Sequence, residues 1–213
     1  MSLIPSGAAN TRFRPEIELL FCCARTQISA EIAEHTRHLV QRNLHWDFII
    51  DKALEHGVMP LLYRCLYASC QDSVPKAALD RLRELYRANA QRNLFLTSEL
   101  LKLLRLLDTH GISAMPFKGP VLSVSVYKNL SLRQFCDLDI LVRKKDIQIA
   151  KDLLISKGYR PRREMTKTQE TAHLESYHAF VFLPESGMYS VDLHWAMYFH
   201  CQKMDQKHLV RQQ

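Results

Sequence analysis

Arg133-Gln134-Phe135-Cys136-Asp137-Leu138-Asp139-Ile140-Leu141-Val142 sets two carboxylates one residue apart at the head of an unbroken apolar run. In a strand, alternate side chains share a face, so Asp137 and Asp139 would project together with Cα atoms roughly 6.5–7 Å apart, while Leu138, Ile140 and Val142 face the other way. Two ionised carboxylates this close repel each other, which raises the pKa of one unless a cation lies between them. Oxygen ligands suit Mg²⁺ or Mn²⁺ rather than zinc, and Mg²⁺ takes its remaining ligands from water and substrate phosphates. Taken alone the motif leaves two readings open, a divalent-cation site or an edge strand whose aspartates simply stay wet.

Working outward, Ala114-Met115-Pro116-Phe117-Lys118-Gly119 ends an apolar segment on a lysine and a glycine. Downstream, Ser190-Val191-Asp192-Leu193-His194-Trp195 places a third aspartate in a strand-like run. This constellation resembles the nucleotidyltransferase superfamily with a polymerase-β-like core, and most of all an uncharacterised bacterial branch. The residues that carry the resemblance are Lys118-Gly119, Tyr127, Arg133, Asp137-Leu138-Asp139, Gly158-Tyr159 and Asp192-Leu193-His194-Trp195.

The resemblance implies an enzyme that moves a nucleoside monophosphate from a nucleoside triphosphate to a hydroxyl acceptor, with Mg²⁺ or Mn²⁺ as two ions. Two metals about 3.5–4 Å apart stabilise the attacking and leaving oxygens together, and three carboxylates are enough to hold them. By the same resemblance Asp137 and Asp139 hold the nucleotide-side ion, and Asp192 joins them on the catalytic one. Lys118, Gly119 and Arg133 are the candidate triphosphate-binding residues. A salt bridge to a nearby carboxylate is the competing role for Lys118 and Arg133. Pro120 departs from the superfamily, which carries there a glycine or serine whose N–H binds phosphate; proline has no N–H to give. His194 reads as a core or hydrogen-bonded histidine beside Trp195 rather than a catalytic one.

The rest of the chain reads as α+β, a helical N-terminal region over 1–110, a nucleotidyltransferase-like core with a mixed, mostly antiparallel sheet over 111–200, and a polar tail over 201–213. Residues 1–14 show little periodicity and are expected to have little order. Apolar positions at three-to-four spacing predict one or two helices from Pro15 to about Asn43, then helices over Trp46–His56 and about 60–69. Val74 to His110 contains no glycine and only Pro75, and predicts one long helix or two end to end, with Leu79, Leu82, Leu85, Tyr86, Leu94, Leu100, Leu103, Leu104 and Leu107 as its apolar stripe. Arg81, Arg83, Arg87 and Arg92 lie mainly off that stripe and read as a solvated basic face.

Residues 112–117 are β-like. The valines and serines of 121–127 look locally strand-like, and it is the resemblance that makes them a helix. A loop at Asn129 and Ser131, the Asp-x-Asp strand, a helix over 145–157, a strand from Tyr159, a polar loop or lid over 164–175, and an antiparallel hairpin of 178–183 with 188–195 complete the expectation.

Apolar residues make up 47% of the 213-residue chain and charged residues 24%, which suits a globular protein and argues against wholesale disorder. No apolar run reaches the ~18–20 residues a membrane span needs, and Arg12, Arg14, Glu16 and Glu18 break any signal-peptide core, so a cytoplasmic location without a membrane partner is expected. The six cysteines have neither the Cys-x-x-Cys spacing of a zinc site nor the density of a disulfide scaffold. The net charge of +7 suits polyanionic nucleotides or a nucleic acid and does not choose between them.

Three functions of different classes follow. The first is the Mg²⁺-dependent nucleotidyltransferase, its acceptor a small molecule, an RNA end or a protein. The second is a non-catalytic nucleotide- or partner-binding protein of the same fold, and the third an RNA-binding helical protein.

Overall fold

The computed structural model describes residues 14–196, so the expectations for the N-terminal segment and the polar tail lie outside the described residues. The chain divides into two compact units, one taking residues up to Ser98 together with Gly119–Phe135, the other Glu99–Lys118 and the chain from Cys136 onward.

The first unit is helical. Between Pro15 and Asn43 the chain makes two helices, α1 (Pro15–Cys23) and α2 (Ala30–Val40). Proline at the start of α1 gives up an N–H that would have had no intrahelical partner, and the Ser29 side chain accepts from the Ile32 N–H to cap α2. Helix α3 (Trp46–Glu55) stops before Gly57, whose φ of 68° is the left-handed conformation a glycine adopts without strain. Helix α4 (Met59–Cys70) follows, and α5 (Lys76–Thr109) is a single helix of 34 residues. Leu19, Leu39, Ile49, Leu62, Leu66 and Leu82 form the buried core, and Cys23, Cys65 and Cys70 are packing residues within it.

The expected stripe of α5 needs one correction. Leu94 is exposed, while Asn93 and Leu96 are buried. Asn93 earns its place by hydrogen bonding: its amide donates to the carbonyls of Leu130 (2.7 Å) and Arg133 (2.8 Å), and Asn89 one turn earlier donates to the carbonyls of Ser131 (2.9 Å) and Arg133 (3.3 Å). The segment read as a loop is thus a 3-10 turn, Leu130–Leu132, strapped to the helix by two asparagines. Residues 121–127 do begin as a helix, α6 (Gly119–Ser125), with Pro120 in its first turn.

The second unit holds a five-stranded sheet in the order β1-β2-β5-β4-β3, formed by β1 (Ala114–Phe117), β2 (Asp137–Val142), β3 (Arg160–Pro161), β4 (Ala179–Leu183) and β5 (Ser190–His194). Three of its pairings are antiparallel, and that of β2 with β5 is parallel. The sheet is therefore mixed and mostly antiparallel, as expected, and the whole is α+β.

Alternation along the strands sorts the two faces. Leu138, Ile140 and Val142 on β2, Val191 and Leu193 on β5, and Phe180 and Phe182 on β4 are all buried on one side. Helix α7 (Ile147–Ser156) covers that side, its Lys151 ammonium lying 5.7 Å from the centre of the Phe180 ring. The edge-strand reading of Asp-x-Asp fails here, because β2 is paired on both sides, by β1 and β5.

The polar loop or lid expected over 164–175 is corrected as well: Lys167–Ser176 is a helix, α8. It has no buried residue, and so no apolar stripe to betray it. It is held instead by a capping box between Thr166 and Gln169, by an ion pair between Glu170 and Lys151, and by His173, whose Nε2 lies 2.9 Å from the carbonyl oxygen of Ala179.

Candidate functional site

The site follows from strand register. In the parallel pairing of β2 with β5, Asp137 stands opposite Ser190, Asp139 opposite Asp192 and Leu141 opposite His194. In the antiparallel pairing with β1, Phe117 stands opposite Asp139. Since partners directly across a ladder share a face, Phe117, Asp137, Asp139, Asp192 and His194 lie on the side of the sheet away from the apolar core residues.

Asp139 is the centre of this face and only 2% exposed. One carboxylate oxygen, Oδ1, takes two partners: Lys118 Nζ donates to it at 2.8 Å, and His194 Nε2 lies 3.0 Å away. Burial pushes the Asp139 carboxyl up, but hydrogen bonds from His194 and Lys118 and the positive charge of Lys118 outweigh it and hold the group below the usual carboxylate range. The other oxygen, Oδ2, is buried with no hydrogen-bond partner. On the neighbouring strand Asp192 Oδ1 is in the same condition. Burial raises the Asp192 carboxyl, and the charges of Asp139 and Asp137 raise it further against an opposing hydrogen bond from Ser190.

Two buried carboxylate oxygens without donors are costly in an apolar sheet. A divalent cation is the partner that suits them, because it supplies positive charge and accepts several oxygens at once. One ligand atom each from Asp139, Asp192 and His194 lie within 4.8 Å of one another, close enough to surround a single ion. Asp137 sits on the same face, two residues before Asp139, but does not belong to that tight group of three.

Lys118 makes the salt bridge to a nearby carboxylate that its sequence position left open. Its backbone φ of 58° is left-handed, which costs a non-glycine residue about 1–2 kcal/mol and is the kind of strain that gathers at functional sites. Gly119 and Arg133, the other two candidate triphosphate residues, belong to the first unit. Gly119 opens α6, and its carbonyl accepts from the Ser123 hydroxyl at 3.0 Å. The Arg133 guanidinium lies 5.7 Å from the centre of the Phe135 ring, with Nη1 buried and free of any hydrogen bond.

His194 is the residue that sequence reasoning set aside from the site. It is hydrogen-bonded, as expected, but to Asp139 itself, with its ring edge-on to Phe117 at 4.9 Å. The signal was available: Asp192 and His194 repeat the one-residue spacing of Asp137 and Asp139. The basic face expected on α5 is partly neutralised, since Arg81 bonds to Asp47 and Asp51 and Arg83 to Asp80.

Compared with known proteins, residues 42–212 match the model of a family described as an uncharacterised nucleotidyltransferase. No curated protein matches the sequence. No helix among the described residues is long and apolar enough to cross a membrane.

Proposed function

The chain belongs to this nucleotidyltransferase family, and we propose that it transfers a nucleoside monophosphate from a nucleoside triphosphate to a hydroxyl acceptor, using Mg²⁺ or Mn²⁺ held on the polar face of β2 and β5. The observation that carries the cation site is the pair of buried, donorless oxygens on Asp139 and Asp192. Asp137 and Asp139 are the residues for a nucleotide-side ion, and Asp192 for a second, catalytic one. Such ions, when bound, neutralise the charge that develops on the attacking and leaving oxygens.

The chain's own residues do the rest. Asp139 is fixed by Lys118 and His194 through one oxygen, which leaves the other without a partner, and a carboxylate already held in place loses little freedom when its ligand arrives. Asp192, directly across the ladder from Asp139, is placed to receive the acceptor's proton. Lys118, Gly119 and Arg133 serve the triphosphate. The buried, unbonded Nη1 of Arg133 supports an anionic partner for that side chain. The acceptor is a hydroxyl of a small molecule, an RNA end or a protein, and the ion pairs of Arg81 and Arg83 disfavour the reading of α5 as an RNA-binding face.

The test is to incubate the protein with each triphosphate, labelled at either the α- or the γ-phosphate, with Mg²⁺ or Mn²⁺ in a cell extract. Label from the α-position should appear in an acceptor with release of pyrophosphate, and Asp192→Ala should abolish it. Transfer of the γ-label would make the protein a kinase and overturn the reading, as would the lack of any label transfer across all four nucleotides and both ions.

A further inference from the structure

Three carboxylates would make an all-oxygen site, yet the tight group contains two carboxylates and an imidazole. Only 8% of His194 is exposed, and its ring is fixed by Phe117 on one side and stacked on His178 on another, with centroids 4.9 and 6.0 Å away. A histidine serving only the apolar core would gain nothing from lying beside two buried carboxylates. This one has Nε2 3.0 Å from Asp139 Oδ1, and shares a 4.8 Å group with Asp192.

We propose that His194 Nε2 is a nitrogen ligand of the cation held by Asp139 and Asp192, so that the site prefers Mn²⁺ to Mg²⁺. The inference rests on the cation site of the proposed function and goes beyond it in donor set and ion. An imidazole has one proton to place on two nitrogens. With the proton on Nε2 the ring donates to Asp139; with the proton on Nδ1, Nε2 offers a lone pair to the ion. Ligation therefore exchanges one hydrogen bond for one metal bond and leaves the ring charge unchanged. Mg²⁺ is a hard ion that favours oxygen and holds its water, whereas first-row transition ions accept imidazole. The nitrogen thus tilts selectivity toward Mn²⁺, while the two carboxylates keep the site open to both.

The experiment uses the full chain labelled with ¹⁵N-histidine, loaded with Mn²⁺ alone and with Mn²⁺ plus a non-hydrolysable triphosphate. Pulsed EPR should show coupling of the Mn²⁺ electron spin to a histidine ¹⁵N, and His194→Gln should remove it. By titration, His194→Gln should weaken Mn²⁺ by about tenfold or more and Mg²⁺ by less than about threefold. Mn²⁺ bound in an Asp139-dependent way with no histidine coupling would overturn the inference, leaving His194 a residue that merely orients Asp139 and the nucleotidyl-transfer reading intact. Mn²⁺ that is not taken up, or is taken up equally by Asp139→Asn, would overturn this inference and the cation site together. The spectrum of the wild-type protein decides between the first two outcomes even if His194→Gln does not fold.

Discussion

Asp139→Asn isolates charge from shape at the most buried position of the site. In the wild-type protein an ion that binds only the folded state stabilises it by RT ln(1 + [L]/Kd), about 2.7 kcal/mol at a hundredfold excess over Kd. At about 2–4 °C per kcal/mol for a chain of this size, Mn²⁺ should raise the melting temperature by roughly 5–11 °C. Asparagine keeps the volume and still offers an oxygen to Lys118 and His194, but it takes a full negative charge from a residue that is only 2% exposed. If that weakens the ion about a hundredfold, the same Mn²⁺ concentration now equals Kd, and the gain falls to about 0.4 kcal/mol, or ~1–2 °C. The ion-free protein should melt within a few degrees of wild type, because the Lys118 side chain is half exposed and can return to water rather than remain as a buried unpaired charge. Differential scanning fluorimetry with and without Mn²⁺ reads both quantities. A variant that keeps the full Mn²⁺ shift would refute the argument that the oxygens of Asp139 bind a cation.

Asp192→Ala should lower turnover by about a hundredfold or more while triphosphate affinity changes by less than about threefold, because the catalytic ion is felt chiefly in the transition state; Asp139→Ala should damage both, and steady-state kinetics beside equilibrium binding separates the two. Asp192→Asn should stabilise the ion-free protein at neutral pH. The folded-state pKa of Asp192 is raised by burial and by Asp139 and Asp137, so the native state binds more protons than the unfolded one between the two pKa values, and wild-type stability falls as pH rises through that window. The advantage of the asparagine should vanish below the ordinary carboxylate range, which urea unfolding at a series of pH values will check. Asn93→Ala removes the side-chain donor to the Leu130 carbonyl and one of the two to the Arg133 carbonyl, which Asn89 also serves, and should destabilise the fold by about 1–3 kcal/mol in urea unfolding; a loss under about 0.5 kcal/mol would mean the 3-10 turn does not depend on that strap.

What could be read from the sequence was what repeats at short range or is carried by family resemblance. Helices α1 to α5 announced themselves through apolar residues three and four apart, and the sheet face through the two-residue period of Asp137-Leu138-Asp139. What stayed hidden depends on partners distant in sequence. Asn93 falls in phase with Leu96, Leu100, Leu103 and Leu107, whereas Leu94 is one residue out of phase; an apolar residue was therefore counted into the stripe where a polar one belongs. Only bonds to carbonyls about forty residues away explain the exchange. Helix α8 hid for a different reason, since burial plays no part in forming it, and only the Thr166-x-x-Gln169 cap marked it.

The order of strands was the least visible part, and the site depends on it. Asp139 and Asp192 are brought together by one parallel pairing, between strands separated in sequence by α7, β3, α8 and β4. Nothing local in either strand specifies that pairing or its register. What enforces the register is the apolar side of the sheet: a slip of one residue would turn Asp192 and His194 into the layer now filled by Val191 and Leu193, and bring those two into the polar face. Val191 and Leu193 are fully buried, so the slip would expose both and bury an aspartate against Leu138, Ile140 and Phe182. The alternation that buries the core thus also fixes Asp192 opposite Asp139, and the polar face inherits its geometry from the apolar one.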